Sequence, residues 1–263
     1  MNKELSGQFQ VGSLNVCVFE SKEALGKEAA QEAATYLREA IQKRGRARLL
    51  FSAANSQLDM VGSLAIVPGI DWNSVEVFHV DEYVGLSTAH PASFGGWLKR
   101  NVVDKMHPAE AHYLAGHAKD MDHECQRYAE LLQLATVDIS FLGIGENGHI
   151  GFNDPHEANF SDPQTVKIVT LDERCRLQQV GEGHWPNLAS VPTQGVTITC
   201  PALVNASHII CCVPGPNKAE VVRNALEGPI STACPASIIR TRPNATLYLD
   251  AQSASLLTRK DQP

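Results

Sequence analysis

Short apolar runs and helix-period segments take turns along almost the whole chain. Asn15 to Phe19 reads as a short strand. From about Ser21 the residues Leu25, Ala29, Ala33, Leu37 and Ile41 recur at helical spacing, and Lys43, Arg44 and Gly45 supply the stop. Ala47 to Phe51 is a compact apolar run. Leu58, Val61, Leu64 and Ala65 then follow at helical spacing until Pro68-Gly69. Val75 to Val80 predicts a third strand running straight into Asp81-Glu82-Tyr83. Helices are expected over Ala92 to Val103, Lys119 to Leu134 and about Asn217 to Leu226. A buried strand is expected over Val137 to Leu142, and further strands at Val166 to Leu171, Val196 to Thr199, Ile209 to Val213 and Thr246 to Leu249. Such alternation predicts an α/β fold with a mainly parallel sheet. No linker, repeat or low-complexity tract divides the 263 residues, and Gly181 to Pro192 is too short to separate domains, so residues 1–263 are expected to form one domain.

Composition excludes several classes. With 43% hydrophobic residues and a net charge of -7, the chain is not disordered. No apolar run approaches the roughly 20 residues of a membrane-spanning helix. Met1 to Gln10 is polar and lacks the apolar stretch of a signal peptide, which points to the cytoplasm. Twenty-two Lys and Arg against 29 Asp and Glu leave no basic surface for nucleic acid. Small anions remain allowed, since a few placed cations and backbone amides suffice for them. The seven Cys include no CxxC pair and read as buried reduced thiols, while His107, His112 and His117 do not stack on one helix face, so no metal site is expected.

In parallel α/β sheets ligands bind outside the carboxyl ends of the strands, so the loops there are where chemistry is sought. The strand ending at Leu142 leads into Gly143-Ile144-Gly145-Glu146-Asn147-Gly148-His149-Ile150-Gly151-Phe152-Asn153-Asp154-Pro155. Gly143, Gly145 and Gly148 match GxGxxG, but a dinucleotide site needs a helix to open there, and Asn153-Asp154-Pro155 reads as loop. What remains is a flexible backbone presenting His149 and Asp154. A lone His is usually filler; its place after a buried strand, beside a carboxylate, favours an acid–base pair instead. Asp81-Glu82 also follows a strand directly, and two adjacent acids point different ways, so at most one faces a given pocket. Asn55-Ser56 caps a helix after a strand, leaving free N–H groups for an anion. Pro214-Gly215-Pro216-Asn217-Lys218 does the same with a cation in the first turn. That cation opposes the helix dipole, a conflict a bound phosphate resolves.

These segments resemble the glucosamine-6-phosphate deaminase/isomerase family, which shares a fold with the 6-phosphogluconolactonases. The resemblance runs from about Asn15 to the last strand. Asp81-Glu82-Tyr83-Val84-Gly85-Leu86 with His90-Pro91-Ala92-Ser93, then Gly143 through Pro155, then Cys175-Arg176 with Lys218-Ala219 carry it. It implies a three-layer α/β/α fold of modified Rossmann type, and conversion of glucosamine 6-phosphate and water to fructose 6-phosphate and ammonia, with no metal or organic cofactor. Carried over by motif position, Asp81 moves a proton between C2 and C1. His149 opens the pyranose ring, supported by Asp154, where the best-known relatives have Glu. Arg176 and Lys218, with Ala54, Asn55 and Ser56, hold the phosphate.

Asn147 stands where many relatives have Asp; an amide cannot accept a proton but can orient a neighbour. Ser52-Ala53-Ala54-Asn55-Ser56-Gln57 replaces the family's common Thr-Gly-Gly-Thr-Pro-like loop. A homo-oligomer is compatible with the resemblance, since some members are hexamers. Two other readings share the fold: a 6-phosphogluconolactonase, against which Tyr83 speaks, and a non-catalytic sugar-phosphate sensor, against which Asp81, His149 and Asp154 together speak. The sequence does not separate gluco from galacto substrates.

Overall fold

A computed structural model of the chain describes residues 4–258. Its strands are β1 (Leu5–Val11), β2 (Leu14–Phe19), β3 (Ala47–Phe51), β4 (Val75–His79), β5 (Asp81–Tyr83), β6 (Glu110–His112), β7 (Ile139–Leu142), β8 (Val166–Thr170), β9 (Gln194–Ile198), β10 (His208–Val213) and β11 (Ala245–Asp250). Its helices are α1 (Lys22–Arg44), α2 (Leu58–Ala65), α3 (Phe94–Leu98), α4 (Asp104–Met106), α5 (Met121–Gln133), α6 (Glu173–Gly181), α7 (Cys200–Leu203) and α8 (Ala219–Glu227).

Eight strands form one sheet in the order β1-β2-β11-β10-β7-β3-β4-β6. Every neighbouring pair is parallel except the hairpin β1–β2. Alternate side chains of each central strand face opposite layers, as the period of two requires. Leu49, Phe51, Ile139, Phe141, Ile210 and Cys212 pack with α1, α2 and the helical stretch that begins at Phe94. Leu50, Leu142, Ile209, Cys211 and Val213 pack with α5 and α8. The result is the mainly parallel α/β fold that the alternation predicts, in the three-layer α/β/α arrangement that the resemblance implies.

Three local expectations need correction. Val166 to Leu171 and Val196 to Thr199 do not join the main sheet. With Asp81–Tyr83 they form a separate antiparallel sheet, β5-β9-β8. The turn at Val80 therefore hands the chain from one sheet to the other. The polar-looking start hides β1, in which Leu5, Gly7, Phe9 and Val11 share the half-buried face and the residues between them are exposed. The helix expected over Ala92 to Val103 is α3 followed by one π-helical stretch over Lys99–Val103.

Helix α1 is held at one end by Ser21, whose hydroxyl accepts from the Ala24 N–H at 3.2 Å, and is closed by Gly45. It lies against α2 at Gly26, where an added Cβ would stand 2.7 Å from the Asp59 carbonyl carbon and 2.8 Å from the Met60 nitrogen. Gly26→Ala is therefore expected to destabilise by about 1–3 kcal/mol, lowering the unfolding midpoint by roughly 2–10 °C, despite the better helix propensity of Ala. Gly62→Ala, on α2 with nothing within 4 Å of the added Cβ, is expected to leave the midpoint unchanged or raise it. Thermal denaturation of the two variants side by side checks both.

Candidate active site

Three helices begin at one cavity of about 600 Å3 on the carboxyl edge of the main sheet. Ser21-Lys22-Glu23 at the start of α1, Ala54-Asn55-Ser56 before α2, and Gly215 to Lys218 before α8 all line it. A helix start offers its first N–H groups and a positive dipole end to an anion; at α1 the Ala24 N–H is taken by Ser21 Oγ, and before α8 the Gly215 N–H by the Asp250 carboxylate. Ala54 and Gly215, the residues before the two short 3-10 turns that open α2 and α8, make no side-chain cap. Gln57 fixes the first of these loops. Its side chain is fully buried, and its Nε2 donates to the carbonyls of Leu142 at 3.1 Å and Cys212 at 3.2 Å, at the ends of β7 and β10. Lys218 is 6% exposed, and burial lowers the pKa of its ammonium, against the raising charges of Glu182 and Glu146. A desolvated cation at a helix start is the conflict anticipated from the sequence.

Asp81 lies at the turn between the two sheets and lines the same cavity, almost wholly buried. Burial first, then the charge of Glu82, pushes its carboxyl well above the usual range, with Asp154 adding to the rise. Glu82 turns the other way. Its carboxylate accepts from Ser93 Oγ at 2.6 Å and from the N–H groups of Tyr83, Phe94 and Gly95, which secures the start of α3. Only one of the two adjacent acids thus faces the cavity.

The loop after β7 carries no helix before β8. Its order comes from side chains. Asn153 is buried and its Nδ2 donates to the carbonyls of Ile150 and Ile198, each at 2.9 Å. The next residue, Asp154, is fully buried and accepts from Asn147 Nδ2 and from the Asp172 N–H, both at 2.8 Å. Burial alone would raise its pKa, but these bonds and His149 outweigh it and hold the carboxyl below the usual range. His149 Nδ1 lies 2.7 Å from Asn147 Oδ1 and 3.2 Å from Asp154 Oδ1. The backbone N–H of His149 also donates to Asn147 Oδ1, at 3.1 Å. A backbone N–H can only donate, so the amide oxygen must face the histidine, and the ring proton sits on Nδ1. Nε2 is left as an acceptor. The ring lies over the bare Cα of Gly145, where a Cβ would fall 2.1 Å from Cε1 and 2.2 Å from Nε2.

Of the residues expected at the site, Asp81, His149, Ala54, Asn55, Ser56 and Lys218 line the cavity, with Asn147 and Asp154 directly behind His149. Arg176 is not brought to it. It points along α6, and its Nη2 donates to the carbonyls of Leu188 and Val191, each at 2.8 Å, tying down the loop that follows. Gln178, Gln179 and Glu182 line the cavity from the end of α6 and were not singled out from the sequence, because polar residues on a short polar helix carry no distinguishing pattern. Gln57 was missed as well; its place directly after the anion loop was the available signal. Among the described residues no helix is long and apolar enough to cross a membrane.

A buried carboxyl of raised proton affinity and an oriented imidazole on one cavity are groups able to take up and return a proton. Residues 20–248 match the family described as glucosamine-6-phosphate isomerases/6-phosphogluconolactonase. The glucosamine-6-phosphate deaminase of Listeria welshimeri is 32% identical over 213 residues, 81% of this chain and 89% of the relative. That of Pseudarthrobacter chlorophenolicus is 31% identical over 253 residues, 94% of each chain. A monomeric glucosamine-6-phosphate deaminase of solved structure superposes with a TM-score of 0.82 at 29% identity, over 92% of this chain and 99% of its own. The 6-phosphogluconolactonase of Shewanella baltica has a TM-score of 0.75 at 21% identity over 93% of this chain and 100% of its own, a likeness of fold alone. The chain belongs to the glucosamine-6-phosphate isomerase/6-phosphogluconolactonase family.

Asp81 also predicts a pH dependence of stability. Its folded pKa is raised, so the folded chain holds this proton more tightly than the unfolded one. Its contribution is complete below the ordinary value of 3.8 and is lost as pH rises through the folded value. Asp81→Asn, which mimics the protonated form, is expected to unfold at a higher temperature than the wild type at neutral pH. The difference is expected to close as pH falls toward 3.8, which thermal scans across pH would read.

Proposed function

We propose that the chain is a deaminase of an amino sugar 6-phosphate, converting glucosamine 6-phosphate and water to fructose 6-phosphate and ammonia. The observation that carries this reading is the Asn147–His149–Asp154 arrangement sharing one cavity with Asp81. His149 Nε2, free to accept, takes the proton of the anomeric hydroxyl and returns it to the ring oxygen, which opens the pyranose. The proton left on Nδ1 is held by Asn147, and Asp154 stabilises the imidazolium formed in between. Asp81 then removes the C2 proton and delivers it to C1 while a proton of the amino group passes to the C1 oxygen, leaving an imine at C2 that water hydrolyses to the ketone and ammonia. Burial raises the affinity of Asp81 for the proton it must carry, and a carboxylate can both take and return it.

The phosphate is assigned to the N–H groups of Ala54, Asn55 and Ser56 and to Lys218. Its charge would meet an ammonium whose charged form burial disfavours, on a cavity that three helix starts border. Arg176, committed to two carbonyls, is assigned to ordering the Leu188–Val191 segment instead of touching the phosphate.

Asp81→Asn is expected to lower kcat about 100- to 10,000-fold while leaving KM within a few-fold. Ammonia release from glucosamine 6-phosphate measures it; a variant with wild-type kcat would remove Asp81 from the proton transfer. The galacto epimer and a 6-phosphogluconolactone belong in the same assay. Lactone hydrolysis without ammonia release would replace the deaminase reading.

Lys218→Ala is expected to raise KM for the phosphorylated sugar roughly 10- to 100-fold, as loss of a charge-assisted bond implies. Its effect on the unphosphorylated sugar is expected to be small. Arg176→Ala is expected to lower the unfolding midpoint more than it changes KM. The reverse ranking of the two variants would move the phosphate to Arg176.

A further inference from the structure

Asp154 has a third neighbour that this proton chemistry does not use. Cys175 sits in the first turn of α6, is 1% exposed and is a free thiol. Its Sγ, Nδ1 of His149 and a carboxylate oxygen of Asp154 all lie within 4.8 Å of one another. The nitrogen and oxygen are already 3.2 Å apart. Zn2+ takes N, O and S ligands at about 2.0–2.3 Å in tetrahedral array, which sets them roughly 3.5 Å from each other. The remaining closure, on the order of 1 Å, falls within a side-chain torsion of Cys175.

The group is buried at its carboxylate and its thiol, and the Asp154 carboxylate already stands beside the imidazole. Asp154 is fully buried and His149 lines the cavity, so a cation reaches the group from the cavity side past the imidazole.

We propose that His149, Asp154 and Cys175 form an inhibitory binding site for a borderline-soft divalent cation of the Zn2+ type. Binding replaces the thiol proton, which leaves to solvent. The ring proton of His149 moves from Nδ1 to Nε2, and Asp154 joins as the carboxylate it already is. A water from the cavity takes the fourth position. One proton is released for each cation bound. The ring nitrogen facing the cavity changes from acceptor to donor, so ring opening stops while the phosphate contacts at Lys218 are untouched. That last step rests on the deaminase reading; the binding of the cation does not.

The test is titration of the intact, metal-free chain with Co2+, read by absorption. The site predicts a thiolate-to-cobalt charge-transfer band in the near ultraviolet and intense ligand-field bands of four-coordinate Co2+. Both are expected to saturate at one ion per chain, to vanish on adding Zn2+, and to release one proton per ion. Cys175→Ser is expected to abolish the charge-transfer band. It is also expected to weaken Zn2+ by more than the 10–100-fold typical of an outer-shell loss, and to keep metal-free turnover near wild type. Cys234→Ser, which changes a half-buried thiol outside the group, is expected to keep the band. Should Cys175→Ser fail to fold, His149→Gln supplies the same comparison, with Zn2+ weakened at least about 10-fold. Absence of the band in the wild type, or its survival in Cys175→Ser, overturns the proposal. A band on cobalt binding with no ammonia release by the metal-free chain leaves the metal site standing and removes the deaminase reading; ammonia release by the metal-free chain with no band on cobalt addition does the reverse.

Discussion

One amide decides how this site works. Asn147 lies between a backbone N–H that can only donate and a carboxylate that can only accept, so its oxygen and nitrogen each have one permitted direction. From that follows the proton on Nδ1 of His149, the lone pair on Nε2, and the orientation of Asp154. A carboxylate at position 147 would add a second buried negative charge beside Asp154. The amide fixes the same ring geometry without that repulsion. The shorter arm of Asp154 costs nothing in reach, since its oxygens meet Asn147, His149 and the start of α6 directly.

The sheet supplies what this arrangement needs from outside. Parallel strands put all their carboxyl ends on one edge, and the returning helices then present their starts to the same edge. Asp81 and His149 and the helix starts that border the cavity are thereby kept on one surface though far apart in sequence. Gln57 joins two of these strand ends to the anion loop through a single side chain. The buried state of Asp81, Asp154 and Lys218 makes each interaction stronger than it would be in water and makes each group costly when unpartnered.

Much of the fold was readable because α1 repeats at helical spacing and β3, β7 and β10 are short, nearly continuous apolar runs buried on both faces. What escaped has physical reasons. β1 is an edge strand with an ordinary polar face, so its apolar half is diluted. β8 and β9 have the composition of central strands, and composition does not say which sheet a strand joins. At the site, Asp81, His149, Asp154 and Lys218 announce themselves as polar, proton-bearing or cationic residues in the segments that follow apolar strands. Arg176 shares that chemistry but not the position. A guanidinium with five donors finds carbonyls as readily as phosphate, and only the path of the loop to Val191 decides between them. Gln178, Gln179 and Glu182 line the cavity from the end of α6, a placement that no linear pattern encodes.

Asp81, Glu82 and Tyr83 form the shortest strand of the small sheet, paired with Thr197, Val196 and Gly195. The first faces the cavity, the second anchors α3, and the third is wholly buried against Phe94, Phe152 and Trp185. Each therefore answers to a different layer of the molecule, and none has a face left over. Such a tripeptide has almost no neutral neighbours in sequence space. A change at any of the three is thus felt in a different part of the molecule, and no single compensating substitution can answer all three demands.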